Sequence, residues 1–177
     1  MNLHPILVHF PIALLSIYAV LELLRFNKLQ SLSGWLYARG YTVIVGTLAA
    51  YGAYISGNEE GGGLITDPVG RKVFELHEAW AVITLVIFTI IAIHYFIELL
   101  RRNSKMASLF FGSQWRIQLG KFLLKLSAAI GKPFIMVTLA IFGLCAITIT
   151  GGLGGSMIYG PDVDPIVSLI YKVFVLR

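Results

Sequence analysis

The sequence predicts an all-α integral membrane protein: a single domain over residues 1–177 built as a four-transmembrane-helix bundle, with an interfacial amphipathic helix and a short C-terminal helix. Three observations carry that expectation. Of the 177 residues, 57% are hydrophobic and only 13% are charged, so the chain lacks the polar skin that a soluble domain turns to water. Mean hydropathy is +0.81. Four apolar stretches, at about 5–25, 35–56, 78–100 and 133–159, approach or exceed the roughly 20 residues a helix needs to cross a bilayer.

In the first stretch no basic segment precedes Ile6 and no small-residue cleavage site follows Leu24, which marks a retained span rather than a signal peptide. Pro5 suits a first helical position, whereas Pro11 removes a backbone hydrogen bond, frees the Leu7 carbonyl and predicts a kink. Only 14 residues run from Pro11 to Leu24, so the turn carrying His9 must also lie at membrane depth, with His4 at the rim. The second stretch has small residues at helical spacing, Gly46 with Ala50 and Ala49 with Ala53 and Gly57, which let helix backbones approach closely in lipid. Residues 56–76 contain glycines at 57, 61, 62 and 63 and predict a polar loop. His77 and Glu78 then lead into the third stretch, which closes with Arg101 and Arg102.

At about 112–130, Trp115, Leu119, Phe122 and Leu126 recur at i, i+4, i+7 and i+11, with Arg116, Lys121 and Lys125 between them. That is the pattern of a helix lying in the interface and resting on anionic headgroups. The fourth span runs into Gly151-Gly152-Leu153-Gly154-Gly155, and Asp164-Pro165 opens a helix at about 164–176. That helix is too short to span, so it lies along the membrane or packs on a partner.

Charge orients the bundle. Arg25, Lys28, Arg101, Arg102, Lys105, Arg116, Lys121, Lys125 and Lys132 gather at one end, and Glu59, Glu60, Asp67, Glu75 and Glu78 dominate the other. The positive-inside rule then predicts that both termini face outward, away from the cytoplasm. The net charge of +5 belongs to a membrane surface rather than to nucleic acid, because the basic residues flank apolar segments. The single Cys145 cannot close an internal disulfide, and no Cys-x-x-Cys-His is present for covalent haem attachment. No activated serine or cysteine, phosphate-binding loop or paired-carboxylate motif is visible. An electron-transfer or accessory subunit is expected rather than an independent enzyme.

This topology brings His4, His9 and His77 to one end. Imidazoles from two helices can hold a non-covalent b-type haem from opposite faces. His9 and His77 are the expected iron ligands, with Arg71 and Lys72 meeting the propionates. The haem would relay electrons between a membrane donor such as quinol and a membrane or periplasmic redox partner; quinone is a second candidate cofactor. His4 is a secondary candidate, as are His94 and Met136, which could form a His/Met pair at the other end. His94 follows His77 by 17 residues, about 25 Å of helix, so the two cannot serve one site. Three other readings stand beside this one. The histidines could simply hydrogen-bond headgroups, water or the freed Leu7 carbonyl; His4, His9, His77 and Glu78 could hold a transition metal; or the chain could be a cofactor-free structural or anchoring subunit of a larger complex.

The opening Leu3-His4-Pro5-Ile6-Leu7-Val8-His9-Phe10-Pro11-Ile12-Ala13-Leu14 resembles the signature of a bacterial membrane family known as domain of unknown function 2231, usually of four spans. His77 at the third helix and the closing Gly151-Gly152 with Tyr159-Gly160 are similar to that family as well. Residues 106–132 and 163–177 look like additions to its pattern. Some members are associated with cytochrome c domains, so the resemblance implies an electron-transfer setting and a cytochrome c among the possible partners.

Overall fold

The computed structural model describes residues 7–61, 67–103, 105, 107–108 and 114–176. Its elements are α1 (His9–Leu23), α2 (Asn27–Gln30), α3 (Trp35–Gly61), α4 (Pro68–Arg102), α5 (Gln114–Ile130), α6 (Pro133–Tyr159) and α7 (Pro165–Phe174). Among the described residues there is no strand, as the all-α expectation requires. Helices α4 and α6 are each long and apolar enough to cross a membrane. Helix α1 has 15 residues, fewer than a span needs. In α3 the apolar run is diluted by Gly40, Gly46, Gly52, Tyr41, Tyr51 and Tyr54.

Two boundaries differ from expectation. Most of the loop anticipated at 56–76 is helical, since α3 continues to Gly61 and α4 begins at Pro68. The start signal is local: Asp67 is an N-cap whose side chain accepts from Gly70 N at 2.7 Å, and Pro68 stands where a missing N–H costs nothing. His77 is therefore well inside α4 rather than at its entrance. At the chain's opening, the helical ladder is interrupted at Val8 and α1 restarts at His9, which leaves Pro11 in the first turn. That is where the sequence places a break, because Pro11 has no N–H to give Leu7 O.

Helices α1, α3, α4 and α6 form an antiparallel ring. Gly46 of α3 meets α1 so closely that an added Cβ would stand 2.7 Å from Leu15 Cδ2. Thr47 and Tyr51 of α3 reach Phe88 O and Thr89 of α4. In α6, Gly143 faces Phe88 and Gly151 faces Ile12 of α1, which closes the ring. The centre is filled by Leu15, Tyr18, Val43, Phe88, Ile91 and Ala140, all with no exposed surface. Tyr18 joins the diagonal pair α1 and α4, its ring edge-on to Phe88 at 6.2 Å and to Tyr95 at 5.8 Å.

Two shorter helices cover opposite ends of this ring. Helix α5 docks on α4 at the end holding Tyr95: His94 Nδ1 lies 3.0 Å from Ser127 O, with Gly131 leaving room for the imidazole. Leu119, Phe122 and Leu126 point outward while Gly120 and Ser127 are buried, so these three residues of the apolar stripe face away from the bundle. Helix α7 is capped by Asp164, which accepts from Ile166 N and Val167 N. It packs Val167 and Ile170 at the other end, and Gly152 lets Ile170 within 2.5 Å of where a Cβ would be. Trp80 of α4 stands edge-on to Phe174 at 5.4 Å.

Candidate functional site

His77 is held by α6. Its Nδ1 lies 2.9 Å from Thr150 O, and a carbonyl can only accept, so in the neutral ring Nδ1 is the protonated nitrogen and Nε2 carries the lone pair. One turn along α6, an added Cβ on Gly154 would stand 3.1 Å from His77 Cε1. Glycine at 154 is thus what lets the imidazole lie against α6. On the other side of the same glycine segment, Gly151 faces Ile12, one turn after His9 on α1. The segment read from the sequence as glycine-rich therefore lies between the start of α1 and His77. His9 itself is exposed at the first position of α1.

The remaining expected residues are placed differently from one another. Arg71 Nε pairs with Glu75 Oε1 at 3.2 Å on the exposed surface, and Lys72 Nζ donates to Val175 O at 2.6 Å, fastening the end of α7. Five and six residues before His77, neither shares its helical face, since facing positions are three or four apart. Any propionate contact by Arg71 or Lys72 competes with these bonds. Glu78 accepts from Tyr54 of α3 at 3.4 Å, so it turns toward α3 while His77 turns toward α6. Among the described residues no three His, Cys, Asp or Glu side chains form a metal-binding group; His4 lies outside the described residues. Met136 is a core residue, 1% exposed, and His94 Nδ1 is engaged by Ser127 O and by Ser127 Oγ at 2.9 Å.

A family model described as predicted membrane protein, domain of unknown function 2231, matches residues 1–164. The chain belongs to this family. No curated protein and no solved structure matches it. The match to the domain of unknown function 2231 takes in α1 to α6 and ends at Asp164, the N-cap of α7.

This member of the family has a second polar centre that the sequence reading passed over. Glu22 on α1 has no exposed surface. Its carboxylate accepts from Tyr95 Oη at 2.5 Å, Tyr18 Oη at 3.2 Å and Arg39 at 3.2 Å, and pairs with Arg25. The Arg39 guanidinium lies 5.6 Å from the Tyr95 ring centroid and 6.0 Å from that of Trp35. The signal was available: Tyr18, Glu22 and Arg25 sit at i, i+4 and i+7, one helical face, and an acid inside an apolar segment is a functional candidate by default. Arg25 enters the sequence reading only as one of the basic residues that orient the bundle. The partner Arg39 lies 17 residues from Glu22, which no local spacing reports.

Proposed function

We propose that this chain is a four-span subunit of the bacterial inner membrane, both termini periplasmic, which binds one b-type haem at the His77 end. In this reading it serves electron transfer between a membrane donor such as quinol and a redox partner. The observation that carries the reading is the His77 Nδ1 bond to Thr150 O. Histidines that ligate metals commonly give their second ring N–H to a carbonyl, which fixes the tautomer and turns the other nitrogen toward the metal. Gly154 and Gly151 supply the second support, since they leave α6 flat beside His77 and the start of α1. The donor set fits a b-type haem: His77 is the anchored ligand and His9, at the same end, the second. A bound haem would supply one-electron chemistry there; the residues of the chain would orient the ligand ring and separate it from the opposite end by about 25 Å of α4. The four-span topology adds α1 and α3 to the two long apolar helices. The orientation follows from the basic residues that follow α1 and α4.

The test is the absorption spectrum of the purified full chain. A Soret band with sharp reduced α and β bands is expected, lost in His77→Ala and altered in His9→Ala. A featureless visible region, or a haem spectrum that survives both substitutions, refutes the ligand assignment.

A cofactor-free anchoring role is favoured by one specific feature, helix α7. Its inner face is packed on the bundle through Val167 and Ile170, while Ile166, Leu169 and Leu176 are each at least 60% exposed. In that reading, deleting residues 163–177 releases the chain from its complex, and a complex that stays intact counts against it.

A further inference from the structure

The cluster around Glu22 holds more donors than its carboxylate can serve. One carboxylate faces two guanidiniums, so an uncompensated positive charge remains at that end of the bundle. Both oxygens are already occupied, Oε2 by Tyr18, Tyr95 and Arg39, and Oε1 by Arg25. Three further N–H groups there, Arg25 Nε, Arg39 Nε and Trp35 Nε1, are buried without a hydrogen-bond partner. Buried donors left without acceptors are costly, and a native protein carries only a few per hundred residues, so three around a single charge call for an explanation.

We propose that Arg25, Arg39 and Trp35 form a binding site for a phosphate oxyanion, supplied by the headgroup of an acidic phospholipid. The chemistry selects the class. A phosphate is anionic and accepts without donating, so it answers both the surplus charge and the orphaned N–H groups, and guanidinium is the side chain suited to it. The position selects the source. The cluster sits where α1 ends at Leu23 and α3 begins at Trp35, the depth at which headgroups meet the ends of spanning helices and at which Trp and Arg are characteristic anchors. The Glu22 side chain is sealed at 0% exposure, while that of Arg25 retains 23%, so an approach remains open along Arg25. Tyr18 and Tyr95, which close the inner side, donate to Oε2 and fix the carboxylate that holds both guanidiniums in place for the oxyanion. This site is separate from the histidine end and stands whether or not a haem binds there.

The test titrates the detergent-solubilised full chain with short-chain phosphatidylglycerol, with diacylglycerol of the same chain length, and with inorganic phosphate, reading the unfolding temperature. Phosphatidylglycerol should raise it saturably and diacylglycerol should not. An equal rise with inorganic phosphate assigns the site to a soluble oxyanion and overturns the headgroup as its source. Trp35→Phe keeps the ring and removes the N–H, and Arg25→Lys keeps the charge and removes Nε. Each should weaken phosphatidylglycerol about tenfold, the loss of one charge-assisted hydrogen bond. Equal responses to phosphatidylglycerol and diacylglycerol, or full affinity in both variants, overturn the proposal. Phosphorus NMR of phosphatidylglycerol with the unaltered protein checks the contact independently of the variants, and a headgroup resonance that does not shift overturns it too.

Discussion

Replacing Glu22 by glutamine keeps the side-chain shape and removes the charge. Glu22 is fully buried and accepts from four donors, two of them guanidiniums. Whichever way the new amide turns, its NH2 faces a guanidinium: toward Arg25 it strands that one, and at Oε2's position it strands the more deeply buried Arg39, while the tyrosine hydroxyls can turn to accept. The first is cheaper. It costs the Arg25 bond, about 1.5–3 kcal/mol for a charge-assisted pair, and the bond to Arg39 falls to roughly half its strength when the acceptor becomes neutral. Water reaches Arg25, whose side chain is 23% exposed, so the total belongs near the lower end of the about 3–5 kcal/mol typical of breaking a buried pair. For a chain of this size, about 3 kcal/mol lowers Tm by roughly 10 °C. Intrinsic fluorescence of the detergent-solubilised protein is the assay, because Trp35 sits beside the cluster. A thiol-reactive dye is unsuitable, since Cys145 is exposed in the folded protein. The double variant Glu22→Gln with Arg39→Gln should lose less than the sum of the two single losses, as the second change removes a cation whose counter-charge the first had already taken away. A Tm within about 2 °C of the unaltered protein, less than the ~1 kcal/mol worth of one ordinary hydrogen bond, would refute the picture of a buried carboxylate holding two arginines.

Two further perturbations probe the packing that places the histidine end. Gly143→Ala puts a methyl 2.8 Å from Cζ of the fully buried Phe88, an overpacking expected to cost about 1–3 kcal/mol. Gly52→Ala, where nothing lies within 4 Å, should be neutral or stabilising, and equal Tm values for the two variants would contradict the ring of helices described. Lys72→Met removes the bond to Val175 O and should raise hydrogen exchange in residues 165–176 about tenfold, the worth of one such bond, while α6 is unaffected. Unchanged exchange there would mean that Lys72 does not fasten α7.

Much of the fold was legible in residue order because its causes are local. Asp67-Pro68 and Asp164-Pro165 start helices through their own side chains and rings, and the interruption at Val8 follows from Pro11 three residues later. The misjudged loop at 56–76 shows the limit of the same evidence. Glycine content argued for a loop, but the cap at Asp67 dominated, because one satisfied N-terminus commits the residues after it to a cooperative helix. The small residues at Gly46 and the 151–155 segment were visible as a pattern, whereas their neighbours, Leu15, Ile12, His77 and Ile170, were not.

The sequence by itself determined the membrane class, the order of helices and the presence of two histidines at one end, since apolar length, charge placement and proline are properties of segments. Only the tertiary structure decided which way His77 turns, that Lys72 serves α7 and that Glu22 gathers Arg39 and Tyr95 from other helices. Those depend on the rotation of each helix about its own axis, and that rotation is set by which side chains interlock across the bundle rather than by any spacing along one strand of sequence.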